Sequence, residues 1–322
     1  MRRRDVIAIL GALPALRHAA AAQSADRVRR LGMLMGTTQS GIAVFVGRLR
    51  ELGWTDGENL RIEYRWAAGD ADRMRAYAAE LVGLSPDAIV SESTPGLIAL
   101  KRETRTIPIV FTMLADPVGS GLVESLSRPG GNVTGFTTFE PSMGSKWLEV
   151  MKEIAPKLAR VAVILHPRTP PNVAFLRAIE AVAPSLALTV SPIGLENVSE
   201  IESTIAAFAA QPNGGLIVLP HILTVTNREL IIQLAARHRL PVVYPFGHFA
   251  TAGGLIAYGI DAPDVWRRAA PYVDRILRGG HPGELPVQQP IKFELVINLK
   301  TARELGLTVP RSLLGRANEV IE

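Results

Sequence analysis

Residues 107–135 read IPIVFTMLADPVGSGLVESLSRPGGNVTG. Ile107-Pro108-Ile109-Val110-Phe111 is an apolar, β-branched run of the kind found in a strand buried on both faces. The chain then passes into Thr112-Met113-Leu114-Ala115-Asp116-Pro117, the position just beyond a strand's carboxyl end. In open α/β sheets that is where ligands sit. Arg128-Pro129-Gly130-Gly131-Asn132 follows as a cluster of turn residues, and Val133 to Thr138 as a second extended run. The stretch lies midway between two series of alternating strands and helices, so it reads as a passage from one lobe into another.

Working back toward the start, Arg30 to Met35 predicts a strand ending in Gly36-Thr37-Thr38-Gln39-Ser40. Ile42, Phe45, Val46, Leu49 and Leu52 then mark one apolar helix face, stopped by Gly53. Leu60 to Trp66 alternates apolar and charged residues, as a strand with one wet face does. A second helix carries Met74, Tyr77, Leu81 and Val82. A third strand, Ala88 to Val90, ends in Ser91-Glu92-Ser93-Thr94-Pro95. Strands alternating with helices of this length give βαβ units and a parallel sheet.

The pattern restarts after Pro156. Strands are predicted at Val161–Leu165, Leu186–Leu195, Gly215–Leu219 and Pro241–Tyr244, with helices between them. Gly254 to Asp261 and the tail Leu285 to Asn298 are again extended, on either side of a helix carrying Val265, Ala269, Val273 and Ile276. Three extended crossings are thus expected near 132–139, 254–261 and 285–293. The fold class is α/β, with two Rossmann-like lobes and parallel sheets. The expected division is 27–134 plus 259–286 for one lobe, 135–258 plus 287–310 for the other, and 311–322 as a C-terminal tail. Two lobes joined in this way form a hinged clam.

Composition narrows the function. With no Cys among 322 residues, disulfides, thiolate metal sites and a Cys nucleophile are excluded. Arg2-Arg3-Arg4, the apolar run Val6 to Leu16 and Ala19-Ala20-Ala21-Ala22 have the form of a signal peptide cleaved near Ala22, by a Sec or twin-arginine route. Residues 1–22 carry four Arg and one Asp, so cleavage takes the formal net charge from +5 to +2. No Lys/Arg stripe remains to track nucleic-acid phosphates. The glycines of Gly36–Gly41 have P-loop spacing, but Ile42 and Ala43 stand where Lys and Ser/Thr belong. No G-x-S-x-G elbow is present. His166, His221 and His248 show no metal-motif spacing and read as capping or surface groups. Neither an enzyme nor a metal or cofactor site is expected.

Several long motifs resemble the periplasmic solute-binding components of ABC transporters, in the group that includes tryptophan- and tyrosine-type binders. They are Tyr64 to Gly69 (YRWAAG), Asp116-Pro117-Val118-Gly119 with Gly121-Leu122-Val123, Arg128 to Gly135, Leu285 to Asn298 and Leu313 to Glu322. Glu92 and Thr112 to Ala115 depart from the commoner family pattern. The resemblance covers nearly all of the chain beyond the leader. It implies a type I periplasmic-binding fold, no catalysis, a periplasmic location, a monomer, and ABC permease and ATPase subunits as partners. A sensor presenting its solute to a receptor is the alternative; a DNA-binding regulator would need a helix-turn-helix where the leader stands.

Candidate ligand-binding residues lie at the ends of the predicted strands. Thr37, Thr38, Ser93 and Thr94 combine hydroxyls with helix N-termini and suit a carboxylate. Asp116 and Asp261 are candidates to balance an ammonium, and Tyr244, Tyr258 and Phe246 to stack on a side chain. Thr137 and His166 complete the set. The solute expected from these groups is an amino acid or similar zwitterion.

Overall fold

The computed structural model describes residues 27–36 and 41–322. The expected leader, Thr37 and Thr38 lie outside the described residues. The first sheet contains β1 (Arg29–Met35), β2 (Leu60–Trp66), β3 (Ala88–Ser91), β4 (Ile109–Leu114) and β5 (Val133–Thr137), in the order β2-β1-β3-β4-β5. All its pairings are parallel. Helices α1 (Ile42–Glu51), α2 (Ala71–Gly83) and α3 (Thr94–Glu103) connect the first four strands. The Asp70 carboxylate starts α2 by accepting the Asp72 and Arg73 amides at 2.9 Å. Met74, Ala78 and Leu81 turn the same helix's apolar side inward.

The second sheet repeats the order. Its strands are β6 (Arg160–Leu165), β7 (Thr189–Gly194), β8 (Gly214–Val218), β9 (Val242–Tyr244), β10 (Ile256–Ile260), β11 (Phe293–Asn298) and β12 (Glu319–Ile321). They are arranged β12-β11-β10-β9-β8-β6-β7. Counted from β6, the first five strands run 2-1-3-4-5, the same winding as the first sheet. Only β11 is antiparallel to its β10 neighbour. The connecting helices are α4 (Met143–Ile154), α5 (Pro170–Val182), α6 (Glu200–Ala209), α7 (Ile222–Thr226), α8 (Arg228–Arg237) and α9 (Gly247–Thr251). The long α10 (Ala262–Leu277) returns to the first lobe. There Trp266 meets Phe45 edge-to-face at 5.7 Å, and the Trp54 indole donates to Asp274 at 2.8 Å. Short helices α11 (Leu299–Glu304) and α12 (Arg311–Leu314) lead to the last strand.

Four details differ from the sequence expectation. β4 does not stop at Phe111: it continues through a bulge, with Met113 at φ 55, and resumes pairing at Leu114. The single helix expected after β8 is broken at Asn227 into α7 and α8. The segment expected as a tail pairs β12 with β11, so it extends the second sheet. Finally, each extended segment near a crossing belongs to one sheet. β5 sits in the first and β10 and β11 in the second, so the chain changes lobe in the short pieces beyond their ends.

The crossings are tied to one another. Thr137 N–H donates to Gln288 O at 2.8 Å, and Gln288 N–H to Gly135 O at 2.9 Å. The Trp147 indole, buried in α4, donates to Tyr258 O at 2.7 Å. Among the described residues no helix is long and apolar enough to cross a membrane.

Candidate functional site

In a 2-1-3-4-5 sheet the chain leaves the first strand toward one edge and then returns to the other side. The carboxyl ends of strands one and three therefore flank an open crevice. This protein has two such switch points, and they face each other. On one side stand Gly36 beyond β1 and Glu92-Ser93 beyond β3. On the other stand His166 beyond β6 and Pro220-His221 beyond β8. A cavity of about 570 Å³ lies between them, lined by residues of both lobes. That is an ordinary size for a small-molecule site.

Both lobes bring charged side chains to the lining: Asp70, Arg75, Glu92 and Arg102 from the first, Arg168, Glu196 and Arg228 from the second. Ser93 caps α3, its Oγ accepting the Gly96 amide at 3.2 Å. The first turn of that helix therefore points its positive dipole end at the cavity. Beside it, the Glu92 carboxylate is buried in the cavity wall and accepts the Gly36 amide at 3.1 Å. Met74, Ile98 and the bulged Met113 supply apolar surface.

The second lobe presents rings. His166 and His221 stack with centroids 4.3 Å apart and planes 19° from parallel. His248 stacks on Phe246 at 5.5 Å. The first pair is positioned by Asn172, which is wholly buried in the first turn of α5. Its Oδ1 accepts the His166 amide at 2.9 Å and its Nδ2 donates to Pro220 O at 3.1 Å, pinning the two loops together. His221 Nδ1 accepts the Leu223 amide at 3.1 Å, which places the imidazole proton on Nε2. Burial, reinforced by neighbouring His166, pushes His221 down to about 3. Burial, with Arg228 adding to it, pushes His248 down to about 4. His166 is lowered too, by burial and then by Arg168. His221 and His248 are therefore neutral at ordinary pH, and His221 offers its Nε2–H as a donor.

Of the residues singled out from the sequence, Ser93, Thr94, His166 and Phe246 line this cavity. The other described ones stand outside the lining. Asp116 is a turn residue at φ 42 whose Oδ1 accepts the Gly119 amide at 2.9 Å. Thr137 is buried in β5 and faces Gln288; its neighbour Thr138 lines the cavity instead, because strand side chains alternate. Tyr244 is buried against Phe249, its hydroxyl pushed above the usual tyrosine range by desolvation. The Tyr258 ring, in the middle of β10, leans on Phe293 of β11. Asp261 caps α10 by accepting the Asp264 amide at 2.9 Å. Sequence reasoning gave no ligand role to Glu92, Asn172, His221, His248 or Trp266, all of which line the cavity. The strand-end positions of the histidines carried that signal, and so did the departure of Glu92 from the family pattern.

Two like-wound lobes with a shared cavity at their facing switch points define a cleft receptor for a small molecule. Residues 36–321 match the family of ABC transporter substrate binding proteins, and the chain belongs to that family. The tyrosine-binding protein of Clostridioides difficile is 27% identical over 263 residues, spanning 82% of this chain and 75% of the relative. Among solved structures, an ABC domain in complex with L-Trp from Streptococcus pneumonia is 24% identical. It superposes with a TM-score of 0.84 over 91% of this chain and 99% of that one. The ligand-free, open structure of a substrate binding protein with adhesive properties from Clostridium difficile is also 24% identical, over the same shares. Its TM-score is 0.66. At equal identity, the superposition is closer on the complexed form.

Proposed function

We propose that this chain is the extracytoplasmic solute-binding component of an ABC importer, and that its solute is an amino acid with an aromatic side chain. One observation carries the reading: a buried carboxylate, Glu92, lies next to the N-terminus of α3 on one wall of a cavity whose opposite wall carries the rings of His166, His221, Phe246 and His248, with Arg168, Glu196 and Arg228 beside them. A zwitterion needs an anion site and a cation site within a few ångströms of each other. The capped helix end supplies the first and Glu92 the second. The stacked imidazoles, Phe246 and Trp266 then offer flat, weakly polar surface to a ring. The name of the tyrosine-binding relative supports the same solute class. The leader pattern supports export, and family membership supports a permease with its ATPase as the partner.

A thermal-shift screen over amino acids, purines, sugars and polyols tests this reading. Ligand at a thousandfold its dissociation constant stabilises the native state by about 4 kcal/mol. L-tyrosine, L-tryptophan or L-phenylalanine is expected to raise the melting temperature by several degrees, with D-glucose and myo-inositol inert. A response confined to sugars or polyols contradicts it.

A further inference from the structure

Within the cavity lining, one side chain of the second lobe reaches into the first. Ile222 opens α7 directly after His221, yet it packs against the first lobe's hydrophobic cluster of Leu34, Met74 and Leu97. Its Cδ1 lies over the bare backbone of Gly36: a methyl group added there would stand 2.6 Å from that atom and 3.1 Å from Ser93 Oγ. Gly69 closes the socket from the other side, its Cβ position 3.7 Å from Ile222 Cγ1 and 3.5 Å from Thr226 Cγ2. The socket is held rigid by the bonds of Ala67 N–H to Met35 O at 2.9 Å and Gly69 N–H to Gly36 O at 3.0 Å.

We propose that Ile222 is a closure peg: a positioning residue that stabilises the closed lobes by seating its side chain in the socket of Gly36, Gly69 and Ser93. Apolar surface at the tip of Ile222 leaves water only when the lobes meet, so its burial favours the closed form whether or not a solute is bound. The peg also couples closure to recognition. His221 and Ile222 both line the cavity, Ile222 also packing into the socket, and they are consecutive residues that follow Pro220, whose carbonyl is held by Asn172. A solute that seats His221 correctly therefore also aims the peg. On the other wall, Ser93 both caps α3 at the anion site and forms part of the socket. A methyl group at position 36 would force the tip of the Ile222 side chain to shift from the place it occupies.

The chain has no cysteine, so two introduced ones carry spin labels at unique places. Glu103→Cys on α3 and Glu180→Cys on α5, both exposed, place one label on each lobe. Pulsed dipolar distances are then measured without solute in this background, and again with Ile222→Ser or Gly36→Ala added. We expect a short-distance, closed population in the background protein. Each added substitution should lower the closed-to-open ratio about tenfold, equivalent to about 1.4 kcal/mol. Ile222→Ser is expected to keep the background melting temperature within a few degrees, which separates lost closure from lost folding. Identical distance distributions in the three proteins overturn the proposal, as does the absence of any short-distance population in the background. A second arm, L-tyrosine titration, rests on the amino-acid reading: Ile222→Ser should weaken binding while stoichiometry is unchanged. If the background protein ignores L-tyrosine, that solute reading fails and the solute-free distances still decide the peg.

Discussion

Replacing Asn172 by Ala probes the architecture of the ring-bearing wall. The side chain is wholly buried and makes two bonds to backbone, from the His166 amide at 2.9 Å and to Pro220 O at 3.1 Å. Truncation removes both and leaves a donor and an acceptor without their partner, away from bulk water. An unmade buried hydrogen bond costs about 1–3 kcal/mol, so two cost roughly 2–6 kcal/mol if neither loop relaxes. The first turn of α5 and the ends of β6 and β8 meet there, so the loss falls on the stability of the second lobe and on the register of the His166–His221 stack. Urea unfolding followed by far-UV circular dichroism gives the stability change. Asn172→Asp is a useful companion, because it keeps the acceptor for the His166 amide and sets a carboxylate oxygen against Pro220 O. Both variants are expected to be destabilised, with Asn172→Ala losing at least about 2 kcal/mol. A loss below about 0.5 kcal/mol, the range of an ordinary surface substitution, refutes the reasoning.

Acid should expose the neutral rings. His221 and His248 are held near 3 and 4 in the folded chain, against about 6.5 when unfolded. Between those values the unfolded chain binds protons that the folded chain does not, so stability is full above pH 6.5 and falls as pH drops through the window. Each histidine contributes a slope of about 1.4 kcal/mol per pH unit. His221→Gln should remove one histidine's share of the slope between pH 4.5 and 6, as read from urea midpoints; an unchanged slope counts against a buried neutral His221. Ser93→Ala removes the cap of α3 and should cost about 1 kcal/mol of stability, while weakening solute binding in calorimetry; wild-type affinity would remove the helix end from the site. Asp116→Asn, in a turn outside the cavity, should bind like wild type, and a tenfold loss there would relocate the cation site.

Strand ends were legible in the sequence because buried strands are apolar runs and their exits are marked by hydroxyls, prolines and glycines. Gly36, Ser91 to Pro95, His166 and Pro220-His221 could all be placed at carboxyl ends on that basis. Which residue at each end turns toward the cleft was not legible. A shift of one residue along β5 exchanges Thr137 for Thr138, and the bulge that brings Met113 to the cavity leaves no mark in an apolar run. Asp116 and Asp261 looked like counter-charges, but local backbone amides use them first, as short polar side chains near a turn or helix start commonly do. Tyr244 sits at the right strand end, yet its ring is buried against Phe249 and outside the cavity lining. Glu92 was the converse case: it stood out as a departure at a site loop, and the fold puts its carboxylate in the cavity wall.

Calorimetric titration of the wild-type chain with L-tyrosine, L-tryptophan and L-phenylalanine addresses the central claim most directly. One-site binding of at least one of them, at a stoichiometry of one solute per chain and weakened in Glu92→Gln, is the result predicted here. Saturable heat from a sugar or polyol, with none from the three amino acids, would contradict it.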